Sequence, residues 1–285
     1  MKSHHHQFPV RLMCKVIGVH PSGFYAWLKE PLSTRAKEDQ YLIAFIKQFW
    51  IESVTVYGYR KVYDDMQSAG EPCGKNRVYR LMRAEGIQSQ RGYKRRGYYG
   101  GKPTHVADNI LERDFSAAKP NQTLVTDITY IRTYEGWLYL AVDLDLYSRQ
   151  NVGWSMQSRM TTAIVMDALT MALWRRRPKE EVVVHSDQGS QYTNGEWHSY
   201  LKANNLTASM SRRGNCHDNA VAESFFSLLK RERIRRRIYR DRAEGKHDVF
   251  DYIELFYNPK WRHGNNGNLS PMDYERNCFK ELAGV

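Results

Sequence analysis

The sequence predicts an α/β protein: a mixed five-stranded sheet with helices, preceded by an all-α region of helix–turn–helix type. Three observations carry this expectation. Residues 9–85 repeat apolar side chains at helical spacing between Gly and Pro breakers. From about residue 121 the chain turns to β-rich runs. Within these, VVVHSD (182–187) is a short apolar strand ending at an acid, as a central parallel strand would. The 285 residues suffice for about two domains at ~150 residues each, and 41% hydrophobic content supplies a core. No run approaches the ~18 uncharged apolar residues of a membrane span, and no signal-peptide stretch opens the chain.

The elements follow in order. Residues 9–30 read as two short helices around Gly18 and Pro21, with Val10, Met13, Val16 and Ile17 in helical register and Ser22 as the cap of the second. A helix over 36–50 carries Tyr41, Leu42, Phe45, Ile46 and Phe49. Tyr59 to Ser68 and Lys75 to Glu85 form a helix pair around Gly70, Pro72 and Gly74, and Gly86 ends the second helix. That second helix is basic, through Lys75, Arg77, Arg80 and Arg83, and suits insertion into a DNA groove. A helical hairpin with a solvated basic face accounts for it equally well. Residues 88–104 hold five basic residues, no acids, four glycines and three tyrosines, a linker whose Arg95 and Arg96 suit a phosphate backbone.

Strands are expected at 124–131, 136–148 and 151–158, a helix at 161–177, a strand at 182–187, a helix at 195–205, a strand at 207–211 and a helix from Ala220 to Ile234. This β-β-β-α-β-α-β-α order is that of an RNase H-like sheet. A last helix, Asp241 to Tyr257, precedes a polar tail. The domain division is therefore 1–50 helical, 51–90 helix–turn–helix-like, 91–120 basic aromatic linker, 121–275 RNase H-like core and 276–285 tail.

Charge separates the halves. Lys and Arg number 43 against 31 Asp and Glu, a net +12. Residues 1–120 hold 20 basic and 11 acidic side chains, whereas 121–285 hold 23 and 20. The excess points to a polyanion, with nucleic acid the commonest. The acids retained in the second half point to chemistry. The four cysteines are far apart and complete no zinc-ligand pair, which suits a reducing cytoplasm.

Three acids stand out. Asp127 interrupts an apolar and Thr-rich strand. Asp187 closes VVVHSD before a Gln-Gly-Ser turn, at the strand end where open sheets place their sites. Glu223 lies in the first turn of its helix. Singly, each fits a structural role such as a cap. Together they can converge at one end of the sheet, where their repulsion calls for divalent cations, and hard oxygen ligands suit Mg²⁺ or Mn²⁺. Two such ions ~4 Å apart serve phosphoryl transfer.

Thirty-five residues separate Asp187 from Glu223. With Asp127 upstream, this spacing resembles that of retroviral integrases and bacterial transposases with two aspartates and a glutamate. The closer resemblance is to the insertion-sequence three family. It rests on DITYI (127–131), HSDQGSQYT (185–193), SRRGNCHDNAVAESFFSLLK (211–230), YN (257–258), RH (262–263) and SP (270–271), and it runs from about residue 8 to 275.

The resemblance implies a transposase with catalytic, metal-binding Asp127, Asp187 and Glu223 and two Mg²⁺ or Mn²⁺ ions. Such an enzyme cleaves DNA at element ends and transfers the strand through the released 3′-hydroxyl, giving a circular intermediate that later integrates. It also implies terminal-repeat and target DNA as partners, a homo-oligomer when the ends are paired, and a nucleoid-associated bacterial protein. An upstream-frame product with its own helix–turn–helix and coiled coil, fused or separate, completes the set. Asn219 and Lys230, four before and seven after Glu223, can share its helical face. Lys230 then holds an end phosphate, and Asn219 orients Glu223 or a nucleotide or simply caps the helix. Ser190, Gln191 and Tyr192 are candidate shapers of the DNA channel.

Asp143 and Asp145 are expected to be structural, although Asp143 stands where the family is usually apolar and so bears on the core or the metal site. Residues 230–242 carry eight basic side chains, by default a solvated face, but their position just beyond Glu223 favours DNA contact. The run Gly264 to Asn268 departs from the family's tail pattern. Two rivals remain: a helix–turn–helix regulator with a relict catalytic domain, and a nuclease that hydrolyses without joining.

Overall fold

Gly18, at φ +73°, ends α1 (Val10–Ile17) in the left-handed conformation that glycine adopts without strain, and Pro21 opens α2 (Pro21–Lys29) at its first position. His20, rather than Ser22, is the cap residue: its Nδ1 accepts the Ser22 N–H at 3.3 Å. These helices bury Cys14 and Phe24 but leave Leu12, Val16, Ile17, Tyr25, Trp27 and Leu28 exposed. This hairpin belongs to the first of two compact units, residues 1–89 and 90–285. The computed structural model describes residues 1–89, 106–212 and 216–283.

In the first unit, α3 (Thr34–Glu52), capped by Ser33, packs on α4 (Tyr59–Ser68) and α5 (Lys75–Ala84). Leu42, Ile46, Val62, Met66, Val78, Leu81 and Met82 form the shared core. The last turn of α3 runs through residue 50, so the three helices make one packed body across that position.

The second unit is built on a five-stranded sheet in the order β3-β2-β1-β4-β5. β1 (Thr123–Thr133), β2 (Gly136–Asp145) and β3 (Asn151–Gln157) are antiparallel neighbours, while β4 (Val182–Ser186) and β5 (Leu206–Met210) run parallel to β1. On one face, Leu124, Ala141, Val152 and Val184 pack against α6 (Thr162–Arg176) and α7 (Gly195–Ala203) through Ile164, Val165, Ala168, Leu169, Ala172, Trp197 and Leu201. Gly153 permits that approach. A Cβ there would lie 2.3 Å from the Ala168 carbonyl oxygen, so the helix backbone can rest on β3 only at glycine.

After β5 come α8 (Ala220–Glu232) and α9 (Arg242–Phe250). The helix expected to run on to Tyr257 instead widens into a π-helical segment, Asp251–Tyr257, followed by a single turn, α10 (Asn258–Lys260). The wider turn lets Tyr252, Ile253, Phe256 and Tyr257 all point inward, where Tyr257 meets Phe225 edge-on at 4.8 Å.

The segment expected as a polar tail is instead α11 (Pro271–Ala283). Its buried Glu275 pairs with Arg176 of α6, and Tyr274 stacks on Tyr147 at 5.0 Å. The divergent stretch before it is also anchored: Asn266 is buried and donates to the Ser148 carbonyl at 2.7 Å. Polarity misled the reading there because the burying contacts are ionic and aromatic rather than aliphatic. Among the described residues, no helix is long and apolar enough to cross a membrane.

Candidate active site

Strand register brings the first two acids together. β1 and β4 pair as Leu124 with Val184 and Val125 with His185. Asp127 follows that paired stretch on β1, on the sheet face opposite Leu124, and Asp187 follows directly after the end of β4, so both acids lie at the same end of the β1–β4 pairing. Each aspartate uses one oxygen locally: Asp127 Oδ1 accepts the Ile128 N–H at 2.7 Å and Asp187 Oδ1 accepts the Gly189 N–H at 2.8 Å. Glu223 enters from the first turn of α8 and is exposed.

Electrostatics relates Asp127 to both other acids. Burial pushes the Asp127 carboxyl well above the usual carboxylate range. The Asp187 charge pushes the same way, the Ile128 N–H opposes it, Glu223 pushes up again and Lys230 pulls down. Asp187 is raised as well, mainly by burial and against the Gly189 N–H. Two carboxylates at one end of the β1–β4 pairing, with a third and one ammonium within electrostatic reach, form a charged cluster.

What places Glu223 lies just before α8. Asp218 is buried and accepts Arg212 Nε at 2.9 Å, Arg113 Nε at 2.7 Å and the Arg212 N–H at 3.1 Å. The Arg212 and Arg113 contacts together outweigh burial and hold its carboxyl below the usual range. His185, buried on β4, donates from Nε2 to the Asp218 carbonyl at 2.9 Å, and its Nδ1 accepts from Ser209 at 2.9 Å. Burial lowers its pKa, as a neutral ring bridging two polar groups requires. Sequence reasoning passed over both residues, although they sit inside the family motifs. The signal available was a histidine in an otherwise apolar strand next to Asp187.

Residues 117–216 and 223–279 each match the Integrase core domain family, and residues 36–96 match an HTH-like domain. The transposase InsF of insertion sequence IS3A from Escherichia coli (strain K12) is 40% identical over 99% of this chain and 98% of its own length. The chain belongs to the IS3 family of transposases. A 31 kDa protein of insertion element IS600 from Shigella sonnei is 38% identical to the transposase over 95% of this chain and 100% of its own. Among solved structures, the HTLV-2 integrase catalytic core domain in complex with magnesium is 14% identical, with a TM-score of 0.41 over 56% of this chain and 99% of that one.

The other expected site residues of the transposase fall into different settings. Lys230, half-buried near the end of α8, places Nζ 5.2 Å over the Tyr130 ring. Asn219 occupies the cap position of α8 but makes no capping bond, and both of its side-chain polar atoms are buried without a partner. Arg77 donates to Asp39 at 2.7 Å and to Glu38 at 3.1 Å, and Arg80 donates to Asp39 at 2.9 Å, so α3 partly neutralises the basic helix α5. Lys75 Nζ lies 5.0 Å over the Tyr63 ring. Arg95 and Arg96 lie outside the described residues.

Ser190 and Gln191 line a surface depression with Thr162, Asn194 and Glu196. Tyr192 does not shape a surface: it is buried in the α6–α7 core, its hydroxyl 3.2 Å from Thr126 Oγ1. Asp145 is structural, accepting the N–H groups of Asn121, Tyr147 and Ser148. Asp143 pairs across the strands with Thr126 and so lies on the core face, away from Asp127. Much of the basic run after Glu223 is tied to acids of this unit, as in Arg233 and Arg237 with Asp248 and Arg242 with Glu135.

Proposed function

We propose that the chain cleaves a phosphodiester at the end of its insertion sequence and joins the released 3′-hydroxyl to a second phosphodiester, using two Mg²⁺ or Mn²⁺ ions held by Asp127, Asp187 and Glu223. The observation that supports this reading is the placement of Asp127 and Asp187 at one end of the β1–β4 pairing, with the Asp187 and Glu223 charges both acting on Asp127.

The donor set fits such ions. Among the described residues, no three His, Cys, Asp or Glu side chains form a group that could by itself hold a metal ion. Mg²⁺ does not need one: it keeps waters and is held by one or two carboxylates together with substrate phosphates. An aspartate pair with a separate glutamate is that kind of open set. Bound cations would offset the repulsion, activate the attacking oxygen and stabilise the leaving one.

The chain's own groups do the positioning. Ile128 and Gly189 N–H groups fix the two aspartates, and the His185–Asp218 bond fixes the start of the helix that carries Glu223. Lys230 holds a phosphate of the element end beside Asp127. The Asn219 amide, unpartnered without DNA, would take Glu223 or a nucleotide as its partner once DNA is bound. Lys75, Arg77 and Arg80 on α5, with Arg95 and Arg96, contact the DNA backbone outside the site.

The DNA partners are the element's terminal repeats and the target. End pairing requires more than one subunit, which we assign to a homo-oligomer formed on DNA and to an upstream-frame product. The exposed apolar side chains of α1 and α2 support a protein partner there. The protein works at the bacterial nucleoid. Incubation with a labelled terminal duplex tests the reading: nicking with Mg²⁺ and none without it is expected, and binding without nicking would favour the regulator.

Lys230→Ala is expected to make DNA binding less sensitive to salt, lowering the log–log slope by about one unit for the phosphate that the ammonium neutralises. Binding isotherms over a salt series measure it, and an unchanged slope would mean that Lys230 neutralises no phosphate.

A further inference from the structure

The tip of the β1–β2 hairpin carries a group of large exposed side chains that folding does not explain. Tyr130 is 47% exposed, Tyr134 77% and Trp137 46%. Single exposed aromatics are ordinary, but three within eight residues of one hairpin are not. Arg132 pairs directly across the strands with Trp137, and Tyr130 meets Trp137 edge-on, ring centroids 5.0 Å apart and planes at 81°.

The hairpin is held from outside. The Tyr239 N–H donates to the Arg132 carbonyl at 3.2 Å, and the Tyr134 N–H donates to the Tyr239 carbonyl at 3.0 Å. Arg242 donates to the carbonyls of Glu135 at 2.7 Å and Trp137 at 3.2 Å, clamping the turn at Gly136, whose φ is +106°. Aromatic side chains on so fixed a backbone lose little freedom when something stacks on them.

It relates to the carboxylates around the sheet edge: Tyr130, Arg132 and Trp137 lie on the Leu124 face, opposite Asp127, and Lys230 reaches both. β4 ends at Ser186, so β1 beyond Thr126 has no β4 residue beside it. Along that edge Lys230 Nζ lies 5.2 Å over the Tyr130 ring, and the same ammonium acts on Asp127. Arg132 adds a second cation, which is exposed.

The geometry points to a base-stacking platform: Tyr130, Tyr134 and Trp137, flanked by Arg132 and Lys230, hold unpaired nucleotides of the DNA strand that leaves the catalytic carboxylates. Cations between aromatics match a phosphate backbone with bases at its side, and stacking needs free base faces that an intact duplex does not offer. The proposal rests on the reading of the chain as a DNA-joining enzyme and adds the form in which DNA is held next to the site.

The test uses the full chain, without divalent metal, and two probes of the same sequence. One is a fully paired duplex. The other carries a short single-stranded extension with 2-aminopurine. Binding is followed by anisotropy and stacking by quenching of the 2-aminopurine. Trp137→Ala and Tyr130→Ala are each expected to weaken binding of the extended probe by roughly tenfold and to abolish the quench, while affinity for the paired duplex stays within about twofold. Trp137→Phe, which keeps a ring, restores most of both, and thermal melting of each variant checks the fold.

Equal loss on both probes, no loss on either, or no quench with wild type would overturn the platform. So would a change in sedimentation of the DNA-free Trp137→Ala protein, which would make the surface a contact between copies. Metal-dependent strand joining by wild type is scored separately. Joining without extension-selective binding sinks the platform alone, whereas extension-selective binding without joining sinks only the enzymatic reading.

Discussion

Asp187→Asn is expected to lower strand cleavage and joining by roughly three orders of magnitude, the scale on which losing one preorganised charge-stabilising group acts, while DNA affinity stays near wild type. The amide keeps the shape of the carboxylate, and its oxygen can still accept the Gly189 N–H, so the turn after β4 should hold. What disappears is a charge that pushes Asp127 upward. Two opposite stability effects follow. Without metal, relief of that repulsion should raise the melting temperature by about 3 °C. With Mg²⁺, the wild type should gain stability through binding to the folded state, and the variant should lose most of that gain. Thermal melts with and without Mg²⁺ read both. A variant that is no more stable without metal, or that keeps the full Mg²⁺ shift, would place Asp187 outside the cluster.

The second large effect concerns Asp143. It is fully buried on the core face, and neither carboxyl oxygen has a hydrogen-bond partner. Its cross-strand neighbour Thr126, whose hydroxyl lies 3.2 Å from that of Tyr192, opposes the effect of burial only in part. Burial pushes Asp143 up from 3.8 to about 8, so the folded protein keeps this carboxyl protonated at neutral pH while the unfolded chain ionises it. A raised folded pKa stabilises fully below the unfolded value, and that contribution is lost as pH rises towards the folded one. The stability of the wild type should therefore fall by about 1.4 kcal/mol per pH unit from this group between roughly pH 4 and 8. Asp143→Asn removes the ionisation. Its stability relative to wild type should climb with pH across that window and level off above it. Denaturant unfolding of both proteins at several pH values measures the difference, and parallel curves would contradict the assignment.

Regular elements were legible because their signals are local. The end of α4 follows from Gly70 and Pro72, and β4 from an apolar run ended by an acid. The succession of elements followed from these signals, and the expected convergence of Asp127 and Asp187 at one end of the sheet followed from their places on two strands. The misses were decided by tertiary contacts. Nothing local marks α11 as docked, because Glu275 and Tyr274 reach Arg176 and Tyr147, which are distant in sequence. The π-helical widening after Phe250 serves an aromatic cluster assembled from α8 and the segment itself. Tyr192 sits in a motif that otherwise reads as surface, and only the packing of Trp197 at 5.4 Å and the Thr126 hydroxyl shows it turned inward. Asp218 and His185 went unassigned because an ion-paired aspartate and a neutral bridging histidine carry no signature apart from their partners.

The central claim is that Asp127, Asp187 and Glu223 form one metal-dependent site that joins DNA strands. The most direct measurement incubates the full chain with labelled terminal DNA and Mg²⁺, with the upstream-frame product supplied, and resolves the products on a denaturing gel. The account predicts strands longer than the input, formed only with Mg²⁺ or Mn²⁺ and absent for the Asp187→Asn protein. Cleaved strands without any joined product, or joined product that persists in the variant, would contradict it.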